Sequence, residues 1–274
     1  MTSYKTLVIF ATLIFGIFAS THIGIGDDIG NYNASKEIKF IVVGDPHVNA
    51  SNNTDKGNKR LEKVVNFVNN SDADFVVFMG DMADDGKEKS NEMVIDILKH
   101  LNKQYYVIAG NHDIFVSPKI FESYYGPMEK IEYINGYQLL FVGIYREGKD
   151  DSTLRWSFDF SKADKNAPTL VFIHGPVTDL PIGCIHCQVN KEVLEYAKSI
   201  NKELDKFTNL IGVYSGHIHY DSNEIINGTR YVTINGLNNI RFNKYITVIR
   251  PSDNVGYSVI KDNKSYYELV SYIE

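Results

Sequence analysis

Sulfur is scarce in this chain: its 274 residues include two cysteines, Cys184 and Cys187, both within GCIHC. That scarcity excludes a disulfide-built scaffold and a four-cysteine zinc knot. The pair could close one short disulfide, stay reduced in a loop, or join His186 in a set of three metal ligands at most. Basic charge is not in excess either. A net charge of −6 and a pI near 5.8 supply no field to gather a polyanion. This argues against nucleic acid as a partner and leaves a small phosphorylated ligand dependent on a local cation. Long apolar runs are missing as well. LVIFATLIFGIFA, residues 7–19, has 13 residues, short for a membrane span and suited to the core of a signal peptide. There is no internal repeat and no low-complexity segment.

What is present is ordinary globular material, 43% hydrophobic and 23% charged, enough for one sizeable core. Residues 1–19 are expected to be a cleaved signal peptide ending near Ala19, or an uncleaved membrane anchor. Either places the protein outside the cell or at the outer face of its membrane. Residues 20–36, rich in Gly, Asn and Asp, are expected to be a linker, and residues 37–274 the folded domain.

Within that domain short β-branched or aromatic runs alternate with amphipathic stretches. IKFIVV precedes a helix expected over 59–69, FVVFM precedes one over 90–101, and YYVIA precedes FESYYG. LVFI precedes VNKEVLEYAKSINKELDKF. The alternation predicts βαβ units, with helices on the outer faces of buried sheets. YQLLFVGIY at 137–145 reads as a strand with no helix after it. RYVTI, YITVI, GYSVI and YYELVSYI read as antiparallel strands, and these runs are expected to build a second sheet packed on the first.

The chemistry lies at the ends of the apolar runs. IKFIVV leads into GDPH, with Asp45 and His47; FVVFM leads into GDMAD, with Asp81 and Asp84. YYVIA leads into GNHD, with Asn111, His112 and Asp113; LVFI leads into HGP, with His174; IGVYS leads into GHIH, with His217 and His219. Loops at the carboxyl ends of strands in an open α/β sheet converge on one crevice, so residues far apart in sequence are expected to meet. Imidazoles, carboxylates and one amide oxygen without thiolate suit Mn, Fe, Zn, Co or Ni better than calcium. Asp45, His47, Asp81, Asn111, His174, His217 and His219 make seven ligands, too many for one site and a match for two that share a carboxylate.

The order D-x-H, GD-x-x-D, GNHD, H, GH-x-H resembles the calcineurin-like metallophosphoesterase superfamily. Arg155 and Trp156, ahead of LVFIHGP, look like the helix and strand before the lone histidine in cyclic-nucleotide phosphodiesterase-like members. The resemblance implies a four-layer α/β/β/α sandwich of two mixed sheets flanked by helices, with a dinuclear metal site at the carboxyl ends of the strands. It implies one metal held by Asp45, His47, Asp81 and His219, and a second held by Asp81, Asn111, His174 and His217, with Asp81 as the bridge. His112 would face the scissile phosphate and Asp113 would orient it. Purple acid phosphatases have a tyrosine after the bridging aspartate, and GDMAD has none.

The implied reaction is hydrolysis of a small phosphomonoester or phosphodiester. Two divalent ions lower the pKa of a shared water and present hydroxide for in-line attack. His112 then protonates the departing alkoxide. A nuclease of the same superfamily is the nearest enzymatic alternative, disfavoured because 34 residues follow Ile240 where DNA-repair members carry a capping domain. A non-catalytic metal-binding module of the same fold is the alternative from another class, and it would be expected to have lost ligands. Residues 49–58, 114–130 and 177–189 are the loops expected to choose the substrate.

Overall fold

The computed structural model describes residues 36–51, 56–146, 154–178, 199–237 and 252–273. The N-terminal apolar run, GCIHC and YITVI fall outside the described residues. Among those described, no helix is long and apolar enough to cross a membrane.

Three parallel strands, β1 (Ile38–Val43), β2 (Phe75–Phe78) and β3 (Gln104–Val107), carry the first three site motifs at their ends. The helices α1 (Lys56–Asn70) and α2 (Glu88–Leu98) follow β1 and β2, and α3 (Pro118–Tyr125) follows β3. In α1, Leu61, Val64, Val65 and Val68 recur at helical spacing and are all buried. With Val94, Ile97 and Leu98 of α2 they cover Ile41, Val43, Val76 and Phe78 on the outer face of the sheet.

The second sheet is built from β4 (Lys130–Ile134), β5 (Tyr137–Arg146), β6 (Leu154–Ser157), β7 (Thr169–Ile173), β8 (Leu210–Ser215), β9 (Ser222–Ile226) and β10 (Thr229–Thr233). Its order is β4-β5-β7-β8-β10-β9, with β6 paired to β5. Its outer face, Leu140, Val142, Val171, Ile173 and Val213, packs against Phe160, Ile200 and Leu204. Residues 199–204 are helical, within the stretch where the long amphipathic helix is expected.

Between the sheets, side chains of alternating strand positions meet in one apolar layer. Phe40, Phe75, Phe141, Phe172 and Tyr214 form its centre. Phe172 stacks on Phe141 at 5.2 Å and on Tyr214 at 5.3 Å, and meets Phe40 edge-on at 5.5 Å. The order helix, sheet, sheet, helix makes the expected four-layer sandwich. Phe172→Ala would leave a cavity in this layer, and a loss of about 3–5 kcal/mol is expected in denaturant unfolding, with no change in the spacing of the site residues.

Three details differ from the sequence expectation. The C-terminal strands divide: β9 and β10 join the second sheet, whereas β11 (Asn254–Lys261) and β12 (Lys264–Ser271) extend the first in the order β12-β11-β1-β2-β3. The antiparallel register that sets Ile38 opposite Ile260 lets β11 add Ile260 to the central layer, which local pattern cannot specify. β10 is antiparallel to β9 but parallel to β8. Finally, Arg155 and Trp156 lie on strand β6, paired antiparallel with β5.

Candidate metal centre

The site lies where both sheets present the carboxyl ends of their strands. Asp45 and His47 follow β1, Asp81 follows β2 and Asn111 follows β3 by a short turn; His174 follows β7, and His217 and His219 follow β8. A single open sheet was the simplest geometry for convergence, and the structure uses the paired edges of two. All seven side chains are buried.

Four of these residues turn the chain sharply. His47, Asp81, His217 and His219 have φ of 46°, 51°, 70° and 48°, in the left-handed region that non-glycine residues rarely occupy. Each such position costs on the order of 1–3 kcal/mol and persists where its surroundings fix it. Here the His47 amide donates to the Asp81 carbonyl at 2.8 Å, and the His217 amide to Asp45 Oδ2 at 2.8 Å. At Gly110 a Cβ would collide with the Asp81 carboxylate, so the backbone there must be bare for the aspartate to sit where it does.

The side chains form two adjoining groups: Asp45, His47 and His219 in one, Asp81, His174 and His217 in the other. In the first, His47 Nε2 is 3.2 Å from His219 Nε2, which is 3.1 Å from Asp45 Oδ2. In the second, His174 Nε2, His217 Nδ1 and Asn111 Oδ1 are mutually 3.1 Å apart. Asp81 Oδ2 stands between the groups, 3.6 Å from His47 Nε2 and 3.5 Å from His174 Nε2. Ligands about 2.0–2.1 Å from a tetrahedral ion lie roughly 3.3 Å from one another, which is the spacing found in both groups. Asp45 Oδ1 and His219 Nδ1 are buried with no hydrogen-bond partner among the described residues. The donor set and its spacing fit two divalent cations.

Charge balance in the cluster follows the same layout. Burial pushes the His174 imidazole down, but Asp81 and Asp45 outweigh it and raise its pKa to about 10. Burial opposes ionisation of Asp81 as well, yet His174, His112 and His47 hold its carboxyl well below the usual range. Burial and the Asp81 charge push Asp113 up to about 7.

His112 and Asp113 border the cluster. Asp113 accepts hydrogen bonds from the Ala83 amide at 3.1 Å and the Gly110 amide at 2.9 Å, so its carboxylate ties the two strand-end loops together. His112 Nδ1 lies 2.6 Å from the Asp84 carbonyl, whereas the hydrogen bonds that Asp113 accepts come from the Ala83 and Gly110 amides. A carbonyl only accepts, so Nδ1 carries the proton that it binds, and Nε2 is turned to other use. Burial lowers the His112 pKa, but Asp81, the Asp84 carbonyl and the Asp84 and Asp113 carboxylates outweigh it and hold it above the ordinary imidazole value.

Sequence reasoning gave no part to two further residues. The Asp84 carboxylate lies 3.2 Å from His47 Nδ1 and accepts from Asn49 Nδ2 at 2.8 Å. Its place in GDMAD, three residues after Asp81, was a visible signal. Gly236 lies against the His219 ring, where a Cβ would collide, and Gly44 pairs with it in an isolated bridge. The asparagine–glycine pair just past β10 marked that sharp exit.

Sandwiched mixed sheets with a buried imidazole and carboxylate cluster at their strand ends define the metallophosphoesterase class of α/β protein. Residues 38–221 match the model of the calcineurin-like phosphoesterase family, and the chain belongs to that family, hydrolases of phosphoric ester bonds. A probable cyclic nucleotide phosphodiesterase of Coxiella burnetii is 24% identical over 203 residues, covering 67% of this chain and 77% of that one. A probable glycerophosphodiester phosphodiesterase of Arcobacter nitrofigilis is 24% identical over 207 residues, covering 71% and 69%. A dimetal phosphatase from Danio rerio shares the fold with a TM-score of 0.55 at 12% identity, covering 86% of this chain and 97% of that one. A purple acid phosphatase from yellow lupin shares it with a TM-score of 0.61 at 13% identity, covering 87% of this chain and 52% of that one.

Proposed function

We propose that this protein hydrolyses a small phosphomonoester or phosphodiester with the help of two divalent cations. One cation would be held by Asp45, His47, Asp81 and His219, the other by Asp81, Asn111, His174 and His217. The observation that carries the reading is the Asp81 carboxylate, whose Oδ2 is within 3.6 Å of His47 Nε2 and 3.5 Å of His174 Nε2, between the two groups. Bound there, such ions supply Lewis acidity toward phosphoryl oxygens and a hydroxide nucleophile near neutral pH. The residues of the chain do the rest. His112, with Nδ1 held by the Asp84 carbonyl, keeps Nε2 for the oxygen of the departing alcohol and gives it a proton. Asp113 fixes the Gly80–Ala83 and Gly110–His112 loops relative to each other, and so sets the distance from His112 to the cluster.

The diester side of the reading draws on the two bacterial relatives named as phosphodiesterases. The test is hydrolysis of p-nitrophenyl phosphate against bis-p-nitrophenyl phosphate by Mn²⁺-loaded protein, before and after chelation. Turnover that chelation abolishes and Mn²⁺ restores is expected; turnover indifferent to chelation would refute the two-ion reading. A carboxylate behind a ligating imidazole raises its basicity and fixes its ring. Asp84→Asn is therefore expected to weaken metal binding and activity by about 10- to 100-fold, with the loss in metal affinity read by titration of the stripped protein. Export, by a cleaved signal peptide or an anchor in residues 7–19, is part of the same proposal; the intact chain found soluble in the cytoplasm of its native cell would refute it.

A further inference from the structure

Beside the metal groups is a cavity of about 430 Å³, toward the small end of the roughly 300–1,000 Å³ typical of ligand pockets. Asn111 and His112 form its inner wall, Phe115 and Val116 an apolar wall, and Asp85 and Lys87 a polar one. Asn111 connects it to the cluster, because its Oδ1 is 3.1 Å from both His174 Nε2 and His217 Nδ1.

Phe115 and Val116 are 65% and 52% exposed, whereas Ile114 just before them is 4% exposed and buried in the core. Single exposed apolar residues are common, so their exposure alone means little. Their position is more telling. The Phe115 amide closes a turn on the His112 carbonyl at 3.2 Å, and α3 begins directly afterwards, capped by Ser117 Oγ accepting from the Lys119 amide at 3.2 Å. A turn on one side and a capped helix on the other hold the Phe115 backbone in a set relation to that of His112.

We infer that Phe115 and Val116 form the leaving-group subsite of the reaction and that it takes an ester of a neutral aromatic alcohol. The inference rests on the phosphoesterase reading above, with His112 as the proton donor. Hydrolysis breaks the phosphorus–oxygen bond to the leaving oxygen, and the electron pair stays on that oxygen. Water supplies the oxygen of the new bond, and a proton from His112 Nε2 completes the alcohol. The oxygen that receives this proton must touch His112, so its carbon body lies in the space that His112 borders, against Phe115 and Val116. Among the described residues, the polar wall is poorly suited to a second anionic group. Lys87 Nζ is paired with Asp85 Oδ2 at 3.1 Å, and the Asp84 carboxylate adds negative charge nearby. A flat uncharged ring matches the remaining wall by stacking and apolar contact.

Benzyl phosphate and ethyl phosphate test this, because their leaving alcohols have similar acidity and differ in the ring; methyl benzyl phosphate and methyl ethyl phosphate form the matching diester pair. Mn²⁺-loaded wild type is expected to prefer the benzyl member of the pair it hydrolyses in kcat/KM. Phe115→Ala is expected to reduce that preference about tenfold, the size of one aromatic contact, and Phe115→Tyr to keep it. Wild type that hydrolyses ethyl and benzyl esters equally well, or a preference unchanged in Phe115→Ala, would overturn the subsite while leaving the phosphoesterase reading intact. No turnover of either pair by the loaded wild type would overturn the small-ester reading and the subsite with it.

Discussion

Asp81→Asn is expected to lose both bound metals and to lower kcat/KM by about 10³ to 10⁴. Asp81 has φ of 51°, a conformation that asparagine tolerates better than most residues, so the exchange keeps the turn and changes one oxygen for nitrogen. The substituted side chain still fits beneath the bare Gly110, and its carbonyl oxygen can still accept the His112 amide bond that Asp81 Oδ1 accepts at 2.9 Å. What it lacks is the negative charge shared between His47 and His174. A shared carboxylate balances two cations at once, so both sites lose affinity, and the several kcal/mol that a two-ion clamp gives the transition state go with them at about 1.4 kcal/mol per decade. The comparison is His219→Ala, which should empty mainly the group containing Asp45 and His47. Elemental analysis separates the cases. Two metals still bound in Asp81→Asn would refute the shared role.

His112→Ala is expected to keep both metals and to lose about 10² to 10⁴ in rate on alkyl esters. The His112 ring belongs to neither group; it adjoins the first through His47, whose ring it meets edge-on at 4.6 Å and with which it and Asp84 make a third set of ligand atoms, while its Nδ1 is held by the Asp84 carbonyl. Its removal therefore leaves the donor spacing intact. A poor leaving group needs a proton as its bond breaks and a good one does not, so the loss should be smaller on p-nitrophenyl phosphate. The measurement is the slope of rate against leaving-group pKa, which should steepen in the variant. Full metal content with an unchanged rate on an alkyl phosphate would remove His112 from the mechanism. A parallel fall on every substrate together with metal loss would make it structural.

Much of the site is legible because its signals are local. A buried strand needs an apolar run, a sharp exit needs glycine or a left-handed turn, and a metal needs imidazole and carboxylate; each is a property of a few consecutive residues. GDPH, GDMAD, GNHD, HGP and GHIH therefore mark Asp45, Asp81, Asn111, His174, His217 and His219 as neighbours through residue type and place at a strand end. Spacing alone does not divide them into groups. His217 and His219 are one residue apart and join different groups, on a backbone that is left-handed at both, with φ of 70° and 48°. Resemblance to a family anticipated that division; residue type did not.

From the sequence by itself came the α/β class, the strand ends that carry the chemistry, and the residue types able to hold cations, since burial period and ligand chemistry are written in short stretches. The tertiary structure alone decided which strands share a sheet. β11, still paired with β12, parts from β9 and β10 to pair with β1, because Ile260 completes the layer containing Phe40 and Phe172, a gain available only to chain segments more than 200 residues apart. It also showed the Asp84 carbonyl against His112 Nδ1, and Phe115 lining the same cavity as His112. The first depends on a hydrogen bond from the side chain of one loop to the backbone of another, whose partners are chosen by the packing of the sheets, and the second on the turn that the Phe115 amide closes on the His112 carbonyl.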